Sequence, residues 1–155
     1  MAKEVTWLAS ALLALAFASC NENSPSGPSA PGRASLAVGL SSASVSRGES
    51  VDLFFTVVND GGLPLELRAT SGCGPDFTVS VGGERVWNYL GTGFCPSAVV
   101  TYRIDPGQSL TFQSSWDQST LEGGSAGAGS YEVTGTIWSK EYERLVSPPA
   151  ILTVL

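Results

Sequence analysis

The chain has 155 residues, with 8 Lys and Arg against 14 Asp and Glu, no histidine, and a formal charge of −6. This balance excludes a nucleic-acid partner, because phosphate-dominated affinity needs clustered Lys and Arg, and the basic residues here are scattered. Without histidine the commonest general base, proton shuttle and metal ligand is missing, so an enzyme of conventional acid–base type is not expected, and no catalytic residue, metal or cofactor is assigned.

At the N-terminus, Lys3 supplies a small basic region that Glu4 partly offsets, and Trp7 through Ala18 form an apolar run. That run is about a dozen residues long, where a spanning helix needs about twenty. Ala18 and Ser19 are the small residues that a signal peptidase accepts. The stretch Phe17-Ala18-Ser19-Cys20 resembles the lipobox of bacterial lipoproteins, which implies that Cys20 becomes the acylated first residue of the mature chain. Residues 1–19 are then a lipoprotein signal peptide, and the membrane is a partner through the N-terminal lipid. Two other readings stand beside it: a plain secretory signal in which Cys20 is incidental, and an uncleaved anchor, for which the apolar run is short. Several acyl chains hold a protein far more firmly than one, so lipid at Cys20 implies an extracytoplasmic place on the cell envelope. Asn21, where an Asp would resemble an inner-membrane retention signal, implies the outer membrane if two membranes are present.

Removing residues 1–19 leaves 136 residues and takes away Lys3 and Glu4, so the charge stays at −6. One domain with one core is expected. Of the 3 cysteines, Cys20 goes to lipid on this reading, and Cys73 and Cys95 remain as an even pair in an oxidising compartment, where disulfides persist. A bridge between them would contribute about 3 kcal/mol on the chain-entropy model. Two reactive or metal-binding thiols are the competing reading, and they lack a C-x-x-C spacing and histidine partners. Residues 20–33 hold the acylated cysteine and a run of Asn, Ser, Pro and Gly with no large apolar side chain. Such a run cannot bury enough surface to offset its ordering entropy, and it reads as a flexible tether for a domain over residues 34–155.

Beyond Arg33 the apolar period is two. Val51, Leu53, Phe55 and Val57 form one stripe, and Phe54 and Val58 on the reverse face predict a strand covered on both sides. Leu63, Leu65 and Leu67 follow, then Phe77, Val79 and Val81, with Gly82-Gly83 as a two-residue hairpin into Arg85–Tyr89. Ala98, Val100, Tyr102 and Ile104 make another stripe, as do Leu110, Phe112 and Trp116, then Tyr131, Val133 and Ile137, and residues 151–155 close the pattern. Asn59-Asp60-Gly61-Gly62 and Asp105-Pro106-Gly107 are turns between stripes. Eight or nine short strands at intervals of about ten residues predict an all-β, antiparallel sandwich. The Gly-rich stretch 122–129 is too poor in side chains for a strand and is expected to be a mobile loop.

Chemistry is sparse along these strands. The serines lack a base to activate them. Asp117, Glu122 and Glu132 could gather near the Gly-rich loop, but the alternating oxygen ligands of a calcium loop are missing, and a solvated rim is the simpler reading. Glu141 and Glu143 flank Tyr142 in a polar stretch read as a turn before Pro148-Pro149.

Val86-Trp87, Asp105-Pro106-Gly107-Gln108, Leu110-Thr111-Phe112 leading to Trp116, and the run Gly129-Ser130-Tyr131-Glu132-Val133-Thr134-Gly135 carry a family resemblance. Over about residues 35–138, including the strand end Val57-Val58-Asn59, the chain is similar to the BsuPI-type intracellular proteinase inhibitor family. The resemblance implies an immunoglobulin-like sandwich and an inhibitory role. Trp87 and Trp116 are placed to seal the core between the sheets, each burying up to roughly 250 Å², and Tyr131 stands where a tyrosine corner ties a loop back to its sheet. Each is read as structural core, with ligand contact as the other role open to Trp87 and Tyr131.

The functional candidate is a surface: Gly91-Thr92-Gly93-Phe94-Cys95-Pro96-Ser97. If Cys95 is bridged to Cys73, the loop is preorganised and loses less entropy on binding, and Phe94 beside Pro96 is a candidate anchor for a protein partner. Phe94 folded inward as a core plug is the other reading. Two functions follow: a lipid-anchored binding module that inhibits a proteinase through disulfide-stapled loops, or a non-inhibitory structural or assembly subunit of an envelope complex.

Overall fold

Along Val51–Asn59 every second side chain is buried and those between are half-buried, the period of a strand with one face on a core. The computed structural model describes residues 33–141 and 143–155. The signal peptide, Cys20 and the tether up to residue 32 lie outside the described residues.

Among the described residues, eleven strands form two sheets. Sheet A contains β1 (Ala34–Leu40), β3 (Val51–Asn59) and β8 (Ser109–Trp116), antiparallel in the order β1-β3-β8. Sheet B contains β2 (Ser44–Val45), β4 (Leu65–Ala69), β5 (Asp76–Val81), β6 (Glu84–Asn88), β7 (Val100–Ile104), β9 (Gly129–Ser139), β10 (Arg144–Val146) and β11 (Ala150–Val154). Its centre is β9, which pairs along one edge with β11 and then β10, and along the other with β5 and then β4. The result is the β-sandwich expected from the two-residue period, of the immunoglobulin-like kind that the family resemblance implies.

The inner faces interdigitate into one core, with Leu53, Phe55 and Val57 from sheet A meeting Leu67, Phe77, Val79, Val133 and Ile137 from sheet B. Trp87 and Trp116 are both buried, with ring centroids 6.4 Å apart, and Trp116 lies 5.4 Å from Tyr131. The Trp116 indole N–H donates to the Ser119 carbonyl at 2.9 Å, so the ring enters the core without an orphaned donor. The Tyr131 hydroxyl donates to the Gly127 carbonyl at 2.7 Å, the contact of a tyrosine corner.

Several expectations change. The strand count exceeds eight or nine because β2 and β10 have 2 and 3 residues, too few to show a period, and because β1, an edge strand of half-buried and exposed side chains, precedes the first predicted stripe. The sandwich is not wholly antiparallel: β2 runs parallel to β11, since the chain leaves sheet A after β1 and crosses to sheet B at Ser44. Phe54 and Val58 are half-buried, so β3 has a covered inner face and a partly solvated outer one. Leu63 precedes β4 and is exposed, as is Val81 at the hairpin end. Glu143 leads directly into β10, so the polar stretch closes a hairpin with β9. The Gly-rich segment is pinned: Ala126 is buried and donates its N–H to the Gln118 carbonyl at 2.7 Å, Thr120 N–H reaches the Gly124 carbonyl at 2.9 Å, and Tyr131 holds Gly127.

Gln118 is one of the polar side chains buried among the described residues, fully buried at a left-handed φ of 66°. Its amide donates to the carbonyls of Ser46 and Glu49, each at 2.7 Å, and accepts from Gly48 N–H at 2.9 Å. These bonds satisfy the amide and compensate for a backbone conformation that costs about 1–2 kcal/mol in a residue with a side chain.

Gly135 sets how closely the sheets meet. A Cβ there would lie 2.4 Å from the Phe55 ring, and Phe55 is itself fully buried, so neither side can yield. Gly135→Ala is expected to lower unfolding stability by about 2 kcal/mol or more through overpacking, measured as a fall in the denaturant midpoint at unchanged slope.

Candidate functional site

Two segments at one end of sheet B carry the candidate surface. After β4 the chain turns through residues 70–75 into β5, and after β6 it makes one 3-10 turn, Tyr89–Gly91, before running irregularly to β7. Asp76 organises the second segment. Its carboxylate accepts from Leu90 N–H at 3.0 Å and from the Asn88 side-chain amide at 3.2 Å. Gly91 leaves room for the Asn88 side chain, whose amide oxygen Oδ1 a Cβ would approach to 2.5 Å.

A disulfide joins Cys73 to Cys95 with their Cα atoms 5.4 Å apart, across a sequence separation of 22. Beside it Gly72 N–H donates to the Pro96 carbonyl at 2.8 Å, and Ala98 N–H donates to the same oxygen at 2.9 Å. Gly72 leaves room for the Pro96 ring, which a Cβ would approach to 3.1 Å. Pro96 therefore forms part of the staple as well as an exposed surface. Phe94 is 94% exposed. The core-plug reading fails, because the staple on one side of Phe94 and the hydrogen-bonded turn on the other hold this short stretch out over the sheet end.

Trp87, Trp116 and Tyr131 are away from that surface and belong to the core. Asp117, Glu122 and Glu132 do not converge: among the described residues no group of three His, Cys, Asp or Glu could hold a metal ion. Asp117 instead accepts the Ser119 N–H at 2.9 Å, and hydrogen bonds from the Ser119 hydroxyl and backbone hold its carboxyl below the usual range.

A larger concavity, about 520 Å³, lies between the start of β1 and the β9–β10 turn, lined by Leu63, Pro64, Glu66, Arg103 and Lys140 among others. Glu66, Arg103 and Lys140 there compensate one another, and Glu141 and Glu143 also line it. Lys140 Nζ is 2.6 Å from Glu66, and Arg103 lies 3.9 Å from Glu66 and 3.2 Å from Asp105. The hydrogen bond and charge of Lys140 hold the Glu66 carboxyl below its ordinary 4.5, and Glu66 in turn raises Lys140 above 10.5. This places the groove second as a candidate. Sequence reasoning missed both it and the outward row Arg68, Trp138 and Arg144 on sheet B, because cross-strand register brings those residues together.

Residues 38–142 match the family model described as BsuPI, intracellular proteinase inhibitor. The chain belongs to the BsuPI intracellular proteinase inhibitor family. No curated protein matches it. Among solved structures, the Bacillus subtilis sporulation control protein Spo0M is similar in fold, at 14% identity and a TM-score of 0.50, covering 78% of this chain and 49% of that one. A CARDB domain from Pyrococcus furiosus, in a structure with di-metal ions, shows 13% identity and a TM-score of 0.49 over 80% of this chain and 89% of its own. A β-glucosidase from Erythrobacter marinus shows 11% identity and a TM-score of 0.48 over 80% of this chain, which spans only 16% of that enzyme. The family description is that of a proteinase inhibitor.

Two measurements check this site. Replacing Cys73 and Cys95 together by Ser is expected to lower stability by about 3 kcal/mol, read from denaturant unfolding under non-reducing conditions. Because the Glu66 pKa is depressed, the Glu66–Lys140 pair contributes above pH 4.5 and is lost as pH falls through the folded value; because the Lys140 pKa is raised, the contribution is present below pH 10.5 and lost as pH rises through its folded value. Lys140→Gln should return the Glu66 carboxyl toward 4.5 in a carbon-detected NMR titration.

Proposed function

We propose that this BsuPI domain is a lipid-anchored, extracytoplasmic binding module that occupies a proteinase through the loop carrying Phe94. The observation that carries the reading is Phe94, 94% exposed on a segment bridged to its neighbour by Cys73–Cys95. Single exposed apolar residues are common, but large aromatics dominate interface energies when they sit on a preorganised loop. The family description favours a proteinase as the partner.

The family is described as intracellular, whereas two features of this chain favour export. Phe17-Ala18-Ser19-Cys20 is a lipobox-like sequence after a short apolar run, and the Cys73–Cys95 bridge suits an oxidising compartment. On this reading the tether carries the domain clear of the headgroups, and the inhibitory loop meets exported or envelope proteinases.

The test is inhibition of a panel of serine, cysteine and metalloproteinases by the full-length protein, with protein substrates. Phe94→Ala is expected to weaken inhibition by roughly tenfold or more and to leave the thermal midpoint nearly unchanged, since the ring has little to lose in the folded state. No inhibition across the panel, with envelope proteins captured by crosslinking, would replace the inhibitor reading with the assembly one. For the anchor, labelled palmitate is expected in the wild-type chain and absent from Cys20→Ala; label in neither rules lipidation out.

A further inference from the structure

The outer face of sheet B holds a feature that the family description leaves unused. Cross-strand register sets Arg68 opposite Trp138 from β4 and Arg144 opposite it from β10. Side chains alternate along a strand, so Thr136 and Trp138 share the outer face while Ile137 between them is in the core. The stapled segments rise beside this row. Together they enclose a cleft of about 230 Å³, with Arg68, Thr136, Trp138 and Arg144 on its sheet side and Pro75 and Leu90 on its loop side.

The cleft is smaller than the roughly 300–1,000 Å³ of small-molecule sites and suits the end of one side chain. Two guanidinium-bearing residues flank one indole in a chain of formal charge −6. The acidic residue at the cleft, Asp76, has its carboxylate committed to Leu90 and Asn88. Arg68 has a contact of its own within the protein, whereas Arg144 is exposed and has no ion pair among the described residues. Beneath lies the Thr136 hydroxyl, buried without a hydrogen-bond partner, in a residue only 8% exposed. A guanidinium fork beside a flat ring recognises a planar anion best, and a carboxylate matches it.

We infer that this cleft is a subsite for a carboxylate side chain of the polypeptide partner, an inference that rests on the proposed binding role for its occupant. The partner is a polypeptide because the same stapled segments that wall the cleft also carry Phe94: a chain covering Phe94 meets an aromatic anchor and a carboxylate receptor on one preorganised scaffold.

The probe is acetyl-glutamate amide titrated into isotope-labelled full-length protein and followed by NMR at the Trp138 indole and the Arg144 side-chain N–H. Saturable shifts in the millimolar range are expected, with none from acetyl-glutamine amide. Arg144→Gln should weaken binding about tenfold, the scale of one charge-assisted hydrogen bond, and Arg144→Lys, which keeps the charge and loses the fork, should fall between. No shift, or equal shifts from the glutamine analogue or from sulfate, overturns the subsite. Proteinase inhibition left unchanged by Arg144→Gln overturns the partner's carboxylate as occupant. Absent inhibition with intact probe binding supports the subsite and removes only the proteinase reading.

Discussion

The contact between the Phe55 ring and the backbone of Gly135 governs the rest of the molecule. Phe55 is the middle of β3, the central strand of sheet A, and Gly135 lies in β9, the central strand of sheet B. An aromatic ring against bare backbone brings the two sheets close at the point where both are best supported. Phe77 and Phe112 then pack around Phe55 at centroid distances of 6.3 and 6.2 Å, in the edge-on and offset arrangements that aromatic pairs favour.

Because β9 is held at its centre, it can carry four other strands. Its length, 11 residues, lets β11 and β10 follow one another along one edge while β5 and β4 follow one another along the other. The gap where β5 gives way to β4 is spanned by residues 70–75, one half of the stapled surface. The functional loops are therefore a consequence of how β9 shares its edges: the connection between two strands on the same edge must leave the sheet, and the disulfide ties that excursion to the irregular run before β7. The same geometry leaves Thr136 and Trp138 facing outward beneath the loops.

Much of the fold was legible because the strands speak in a period of two. Val51 to Val57 and Phe77 to Val79 alternate as they should, the Gly82-Gly83 hairpin has both residues at positive φ, and Tyr131 makes its corner with Gly127. The alternation of Leu36, Val38 and Leu40 was also present, but it lies outside the stripes predicted from Val51 onward, and only its pairing with β3 makes it a strand. The ladders β2 and β10 were not legible, since two or three residues carry no period. The Gly-rich stretch 122–129 misled because composition reports side-chain poverty, whereas its order comes from backbone hydrogen bonds to Gln118, Thr120 and Tyr131. Gln118 itself had no sequence signal, as nothing local announces that an amide will be buried against residues about 70 positions away.

By itself the sequence determined the class of fold, the main hairpin and turn positions, the candidate pair Cys73 and Cys95, and the lack of histidine. These are properties of spacing and composition, and local physics reads them directly. Only the tertiary structure decided that Phe94 points to solvent, that Pro96 belongs to the staple, and that Arg68, Trp138 and Arg144 stand in one row. A period of two tells which face a side chain takes. It does not tell which strand lies alongside, because pairing and register are settled by long-range contacts between sheets whose sequence segments are far apart.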